Sequence, residues 1–388
     1  MKSQPEKRKI LITTDLYTTN TNGVVTSVQN LFDVLTEKGH DVRILTMSAD
    51  FHSHRDGPVY YIRSLPLGAV YPDVRMPLPF RHRLIQEIIN WKPDVIHSQC
   101  EFFSFQFASH ISRITGAPIV HTYHTLYEQY VTYLVPSKRL GKTLVRVLTR
   151  ERLKKVKMVV APTVKVENAL HGYGVHSPIS VVPSGISLQQ HHHRMSPEER
   201  QRRRHALGIG DDQQVLLNLG RLDTEKNLGE LMDLFAQALE TNGNMVFLIV
   251  GDGPAREGLE NQAKRLGISH KVIFTGMVEP QEVQNYYQLA DVFASASTSE
   301  TQGLTYIEAA ANGLPLLCRQ DDCLADVLKE GENGYEYSSA QEFLDAIDTL
   351  MENPEKRQAA SRRSQEIAEH FDKEVFGESI AQIYESVL

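Results

Sequence analysis

The sequence predicts an α/β protein built from two doubly wound parallel sheets in succession, and three observations predict it. Short β-branched runs alternate with segments of helical period, the pattern of strands joined by crossover helices. The alternation lapses after Gly185 and resumes near Val215. At 388 residues the chain is too long for one ordinary core, so length favours two domains of similar size.

In the first half, "KILITTD" (9–15) reads as a strand. The loop "LYTTNTNG" follows, and then Val24, Val25, Val28, Leu31, Phe32 and Leu35 recur on one helical face, with Gly39 as the stop. Further strands are expected at 41–46, 94–98, 118–124, 158–163 and 179–183. The stretch 186–214 is polar, charged and without apolar period, so it reads as an interdomain connection. Strands then recur at 215–220, 244–251, 271–276, 291–297 and 314–319, between helices near 227–240, 255–266, 280–289 and 303–312. An amphipathic helical tail follows from 340, broken at Pro354 and near Phe371. The expected division is 1–185, 186–370 and a terminal helix 371–388 that can return to the first domain. Two such sheets imply a cleft between them, with ligands at the carboxyl ends of the strands.

Composition narrows the function. After its charges the N-terminus holds only the apolar run Ile10 to Ile12, too short for a signal-peptide core. No apolar run reaches the roughly 18 residues a membrane span needs. Cys100, Cys318 and Cys323 have neither an even count nor a CxxC spacing, so neither a disulfide framework nor a zinc knuckle is expected. A cytoplasmic protein is the reading. The formal charge of −7 argues against nucleic acid as a partner.

Four clusters carry candidate chemistry. In "STSETQGLTYIEAAANGLP" (297–315), Gly303 removes side-chain bulk where a helix starting at Leu304 presents amides without internal partners. Such a start attracts phosphate. Glu300 precedes it and Glu308 lies one to two turns in, so the two carboxylates could hold hydroxyls on either side of a diphosphate. A dipole-complementing acid plus a solvated helical Glu explains the pair equally well. In "LGRLDTEKNLGEL" (219–231), Arg221 and Lys226 lie between a strand and a helix, placed to neutralise a diphosphate; a surface ion pair with Asp223 or Glu225 is the plainer alternative. Gly23 opens the first helix and permits close backbone approach. In "VHTYHTLYEQY" (120–130), His121 and His124 lack metal-ligand spacing, so a neutral His124 donating to a sugar hydroxyl is preferred to a metal site. "GDGP" (251–254) lacks the full G-x-G-x-x-G of a dinucleotide site.

The ordered set of the Gly23 loop, "HTYH", "VVPSGI", "GRLDTEKN", "VGDGP", "FTG" and the acid–x7–acid segment "ETQGLTYIE" resembles the retaining glycosyltransferases of family GT4 over nearly the whole chain. Within that family it is most similar to the bacterial 1,2-diacylglycerol 3-glucosyltransferases. The resemblance implies a GT-B fold, two Rossmann-like domains facing a central cleft. It implies that Glu300 contacts the transferred sugar, Glu308 the ribose, and Arg221, Lys226, Gly303 and Leu304 the diphosphate. Gly23 would approach donor and acceptor, and His124 the sugar near the reacting carbon. UDP-glucose would be the donor, diacylglycerol the acceptor, and no metal or other cofactor would be needed. Where many relatives carry an aromatic two residues after the first Glu, this chain has Gln302, and Ser184 stands where relatives have Asn.

A lipid acceptor draws support from "SKRLGKTLVRVLTRERLKKVK" (137–157). Lys138, Arg139, Lys142, Arg146, Arg150, Arg152, Lys154, Lys155 and Lys157 stand there against one acid, Glu151, while Leu140, Leu144, Val147 and Leu148 share a face. A basic amphipathic helix of this kind can lie on an anionic leaflet, each cation near the surface contributing roughly 1 kcal/mol. Tyr127 and Tyr130 precede it as a candidate interfacial floor. Peripheral attachment to the inner face of the cell membrane is therefore expected. Packing of the apolar face onto the sheet, a soluble or polyprenyl-linked acceptor, and a non-catalytic nucleotide-sugar binder are the competing readings.

Overall fold

The computed structural model describes residues 6–17, 22–66, 75–78, 82–129, 138–191 and 194–388, which form two units. The first runs β1 (Lys9–Thr13), α1 (Gly23–Glu37), β2 (Asp41–Ser48), β3 (His54–Asp56), β4 (Val59–Pro66), β5 (Arg75–Pro77), α2 (Arg83–Trp91), β6 (Val95–Ser98), α3 (Phe103–Thr115), β7 (Ile119–Thr122), α4 (Lys138–Leu153), β8 (Met158–Ala161), α5 (Val164–Gly172) and β9 (Ile179–Val181). The second runs α6 (Leu188–His191), α7 (Pro197–Ala206), β10 (Gln214–Leu219), α8 (Leu228–Thr241), β11 (Met245–Val250), α9 (Arg256–Arg265), β12 (Val272–Phe274), α10 (Val283–Leu289), β13 (Val292–Ser295), α11 (Leu304–Ala311), β14 (Leu316–Arg319), β15 (Gly334–Tyr337), α12 (Ala340–Glu352) and α13 (Pro354–Ala368). A last helix, α14 (Lys373–Val387), belongs to the first unit.

In the second unit the sheet order is β12-β11-β10-β13-β14-β15, every pairing parallel. Counted from its own first strand this is 3-2-1-4-5-6, the doubly wound order whose direction reverses between the first and fourth strands. The first unit repeats it: β4-β2-β1-β6-β7-β8-β9 are parallel, and among the described residues only the short β3 and β5 pair antiparallel, both to β4. Central strands such as MVFLIV are buried along their whole length because helices cover both faces, which explains their continuous apolar runs. In the first unit Ile10 and Ile12 face α1 and α14 through Val28, Leu31, Phe376 and Ile380, while Leu11 faces the cluster of Ile85, Phe107 and Ile111.

Two features depart from expectation. Residues 186–213, read as a connection, hold two helices of the second unit. Helix α7 escapes a hydropathy reading because it docks through arginines: Arg200 donates to the carbonyls of Gln288 and Leu289 at the end of α10, and Arg203 pairs with Glu282 at 2.7 Å. Its start is capped by Ser196, which accepts from the Glu199 amide at 3.2 Å, with Pro197 in the first turn. The strands β3, β4, β5 and β15 were not foreseen. Two of them have only three residues, and β15 begins on Gly334, where a Cβ would stand 2.0 Å from the Leu316 carbonyl oxygen.

Candidate active site

In the second unit the order reverses between β10 and β13, and the loops leaving their carboxyl ends carry the donor candidates. Lys226, after β10, places Nζ 2.5 Å from Glu300 Oε1, after β13. Burial works against the Lys226 ammonium, but the Glu300 carboxylate outweighs it and holds its pKa above that of an ordinary lysine. Arg221 lies near enough to act on the Lys226 ammonium. Its guanidinium, half exposed, meets Asp223, which also accepts from the Thr224 amide at 2.7 Å.

Helix α11 starts immediately behind Glu300. Gly303 at its N-cap has φ +75° and no side chain to cap the helix. A Cβ there would lie 2.4 Å from the Tyr306 ring, so glycine is what lets the loop fold back over that buried aromatic. Tyr306 is pinned in turn, its hydroxyl 3.1 Å from Ser295 Oγ. Glu308 is partly buried and accepts from the Tyr287 hydroxyl at 2.8 Å. Burial pushes its carboxyl up to about 7, against the lowering effect of that hydrogen bond. The "VGDGP" segment braces the loop of Arg221. A Cβ at Gly251 would stand 2.0 Å from the Gly220 oxygen and one at Gly253 2.3 Å from the Leu222 oxygen. That approach allows Leu222 N–H to donate to Asp252 O at 2.9 Å and Ala255 N–H to Leu222 O at 3.0 Å.

The first unit reverses between β1 and β6, and its strand ends carry a different set. His124, just past β7, lies with Nε2 2.7 Å from Gln99 Oε1, just past β6. Burial, reinforced by His121, lowers the His124 pKa to about 3, so the imidazole is neutral at physiological pH. His121 is buried with Nε2 3.3 Å from Glu101 Oε1, and Tyr127 donates to Glu101 Oε2 at 2.7 Å. Asp15, past β1, accepts the Ser104 amide at 2.9 Å and so caps α3, whose own N-cap Phe102 has no capping side chain. Burial pushes the Asp15 carboxyl up to about 6. Gly23 begins α1 behind Asn22, whose Oδ1 accepts from the Val25 amide at 3.0 Å. Residues 18–21 of that loop lie outside the described residues, as does Tyr130. Ser184 is buried and accepts from Ser27 Oγ at 3.0 Å.

On α4 the apolar stripe faces outward: Leu140 is 69% exposed, Leu144 51%, Val147 41% and Leu148 46%. The side that packs inward carries Gly141, Thr149 and Leu153 buried and Val145 half-buried, with Thr149 Oγ1 3.3 Å from the Tyr123 hydroxyl. Packing of the apolar face on the sheet is thereby overturned, since the helix docks on its other side. Arg146 and Lys142 reach Glu128 at 2.5 and 3.9 Å, Arg150 reaches Glu151 at 3.3 Å, and Arg139 is exposed. Lys138 opens the helix, its side chain outside the description. Tyr127, tied to Glu101 and edge-on to Phe102, is a partly buried member of the strand-end cluster.

Gln99, Glu101 and Asp15 are members of that cluster that the sequence reading passed over. Each lies within three residues of the end of a strand beside the reversal point, and that position was the available signal. Among the described residues no group of three His, Cys, Asp or Glu side chains could hold a metal ion, and no helix is long and apolar enough to cross a membrane. His191, in the histidine run 191–193, is buried against Asn312 with Nδ1 at 2.9 Å.

Two reversed parallel sheets, one with a lysine–glutamate pair and an uncapped helix start at its reversal point, define a doubly wound class of α/β protein that meets anionic ligands at its strand ends. Residues 21–190 match the family described as Glycosyltransferase Family 4, and residues 199–367 match Glycosyl transferases group 1. The chain is 34% identical over 372 residues to the alpha-monoglucosyldiacylglycerol synthase of Streptococcus pneumoniae, covering 95% of this chain and 84% of that one. It is 30% identical to the enzyme of the same name from Acholeplasma laidlawii, covering 97% and 96%. Anabaena Alr3699/HepE, crystallised in complex with UDP and glucose, superposes with a TM-score of 0.78 at 19% identity, over 98% of this chain and all of that one. The chain belongs to glycosyltransferase family 4 and is a glycosyltransferase of the GT-B fold.

Proposed function

We propose that the protein transfers glucose from UDP-glucose to the free hydroxyl of 1,2-diacylglycerol, with retention at the anomeric carbon, at the cytoplasmic face of the membrane. The donor is held by the second unit. Glu300 accepts from sugar hydroxyls, Glu308 from the ribose diol, and Arg221, Lys226 and the amides at Gly303 and Leu304 take the diphosphate. No metal ion is needed, because two cationic side chains and a helix start meet the charge that develops on the leaving group, where such fixed dipoles act most strongly. In the first unit His124 touches the sugar beside the reacting carbon and Gly23 lets the substrates approach the backbone. The acceptor hydroxyl attacks from the face the diphosphate leaves, and a phosphate oxygen takes its proton.

The observation that carries the acceptor is α4, where an exposed leucine and valine stripe shares a helix with Arg139, Lys142, Arg146 and Arg150. Exposed apolar area on one face beside cations is the chemistry of a helix lying in an anionic interface. The names of the two synthases and the UDP and glucose bound by HepE support acceptor and donor respectively.

The test is an incubation of the purified protein with a panel of nucleotide-sugars and liposomes containing diacylglycerol, with and without anionic lipid. The expected product is an α-glucosyl-diacylglycerol from UDP-glucose, its anomeric configuration read by NMR and its formation increased by anionic lipid. A β-linked product, turnover with another donor alone, or transfer only to a soluble or polyprenyl-linked sugar overturns the corresponding part of the reading.

A further inference from the structure

We propose that Gln99 is a positioning residue for the transfer reaction: its carboxamide oxygen accepts the Nε2–H of His124 and so fixes both the tautomer and the orientation of that imidazole. The proposal rests on the reading above, in which His124 lies against the sugar near the reacting carbon.

Gln99 stands where a positioning residue can be held still. It follows β6 directly, its amide donates to the Thr13 carbonyl of β1 at 2.8 Å, and its side chain is buried. A carboxamide oxygen can only accept. With Oε1 2.7 Å from His124 Nε2, the ring carries its proton on Nε2 and keeps an accepting lone pair on Nδ1, so it meets a sugar hydroxyl as an acceptor and not as the donor the sequence led one to expect. The other half of the carboxamide has no such employment. Gln99 Nε2 is buried without a hydrogen-bond partner among the described residues. A buried amide kept for stability pairs both ends, whereas this one pairs only the end that meets His124.

The neighbouring histidine shows what the choice of partner does. His121 faces a carboxylate, Glu101, at 3.3 Å. His124 faces a neutral amide instead. Burial first and then His121 on β7 lower the His124 pKa, and His124 acts in turn on His97 of β6. An uncharged ring is what a site beside an anomeric carbon requires, because positive charge grows on the sugar ring in the transition state and an imidazolium there would oppose it. Gln99 thus supplies a fixed hydrogen-bond direction without supplying charge.

The experiment uses the full-length protein with ¹⁵N-labelled histidine, together with kinetics on the donor that gives product. Wild type is expected to show His124 as a single Nε2–H tautomer in the absence of substrates. Gln99→Leu should convert that signal to a tautomer mixture and lower kcat by about 10²-fold, the scale of a small misplacement of a reacting group, with little change in donor KM. Gln99→Glu has the shape of the native side chain and carries the test if the leucine variant fails to fold. Its carboxylate should draw His124 toward the imidazolium and introduce an acid limb into the kcat–pH profile that wild type lacks. A Gln99→Leu protein with unchanged His124 signals or wild-type kcat overturns the proposal, and so does a Gln99→Glu profile that superposes on wild type. The spectra are read without donor or acceptor, so they stand apart from the identity of either substrate.

Discussion

The two reversal points are built on the same strand order and furnished in opposite ways. At the end of β10 and β13 the side chains are ionic and mutually paired, Lys226 with Glu300 and Arg221 with Asp223. At the end of β1, β6 and β7 the anchoring contacts are a neutral imidazole on an amide and an aspartic acid spent on a helix cap, and buried polar atoms such as Asp15 Oδ2 and Gln99 Nε2 have no partner among the described residues. Topology decides where a ligand is met, and the residues decide what it is. A charged set pre-assembled in pairs suits a diphosphate that exchanges one partner for another; a set centred on a neutral imidazole and a buried amide, with spare donors and acceptors, suits hydroxyls.

The largest effect should come from breaking the ionic pair. Lys226→Ala and Glu300→Ala are each expected to lower kcat/KM by about 10³-fold while leaving the fold intact, the scale of removing a charge-stabilising contact in a site. Circular dichroism and steady-state assays check both, and near-wild-type turnover in either would remove the second unit's claim to the diphosphate. Next comes the surface of the first unit. Replacing Lys142, Arg146 and Arg150 together by Gln should weaken association with anionic vesicles by about 3 kcal/mol, or roughly 100-fold, with no change on neutral vesicles. Sedimentation with vesicles reads this, and equal binding by variant and wild type would show the stripe on α4 facing something other than lipid.

A third change sharpens the contrast through stability. The Asp15 carboxyl is raised from its ordinary value to about 6 by burial, so ionising it inside the folded protein is unfavourable. The sign follows: below the unfolded value the group is neutral in both states and costs nothing, and the cost grows as pH rises to about 6 and persists above. Asp15→Asn keeps an oxygen to cap α3 and removes that cost, so it should stabilise the protein at pH 7 by up to about 3 kcal/mol and not at pH 4. Thermal melts at the two pH values decide it, and a lower Tm at pH 7 would place an unrecognised cation beside Asp15. The smallest effect concerns Glu308, raised to about 7. Its carboxyl accepts with charge assistance and from two oxygens only when ionised, so donor KM should rise several-fold as pH falls from 8 to 6, and Glu308→Gln should abolish that slope. A flat wild-type profile would mean that Glu308 does not meet the donor.

The sheets were legible because buried parallel strands write themselves as unbroken apolar runs, and the helices of the second unit because their faces repeat at helical period. What escaped did so for physical reasons. Helix α7 binds through arginine forks on carbonyl ends, which hydropathy counts as solvent-seeking. Acid, base and glycine spacing around 221–308 marked the candidate donor residues, of which the structure brings Lys226 and Glu300 together, but nothing in "DVIHSQCEF" marks Gln99 or Glu101 until β6 and β7 are laid side by side. For α4 the pattern gave the amphipathic stripe but not its direction. The side that docks dilutes Val145 and Leu153 with Gly141 and Thr149, so its apolar period is weaker than that of the leucine stripe.

The terminal helix α14 closes the core of the unit that begins the chain, its Phe376, Ile380, Ile383 and Tyr384 lying against strands more than 200 residues earlier in order. During synthesis the second unit has all its strands before α14 emerges, whereas the first waits with one apolar flank uncovered. Nascent chains should therefore need shelter by a chaperone longest over that flank, and a stop codon near Lys373 would leave the earlier half, not the later one, unable to mature.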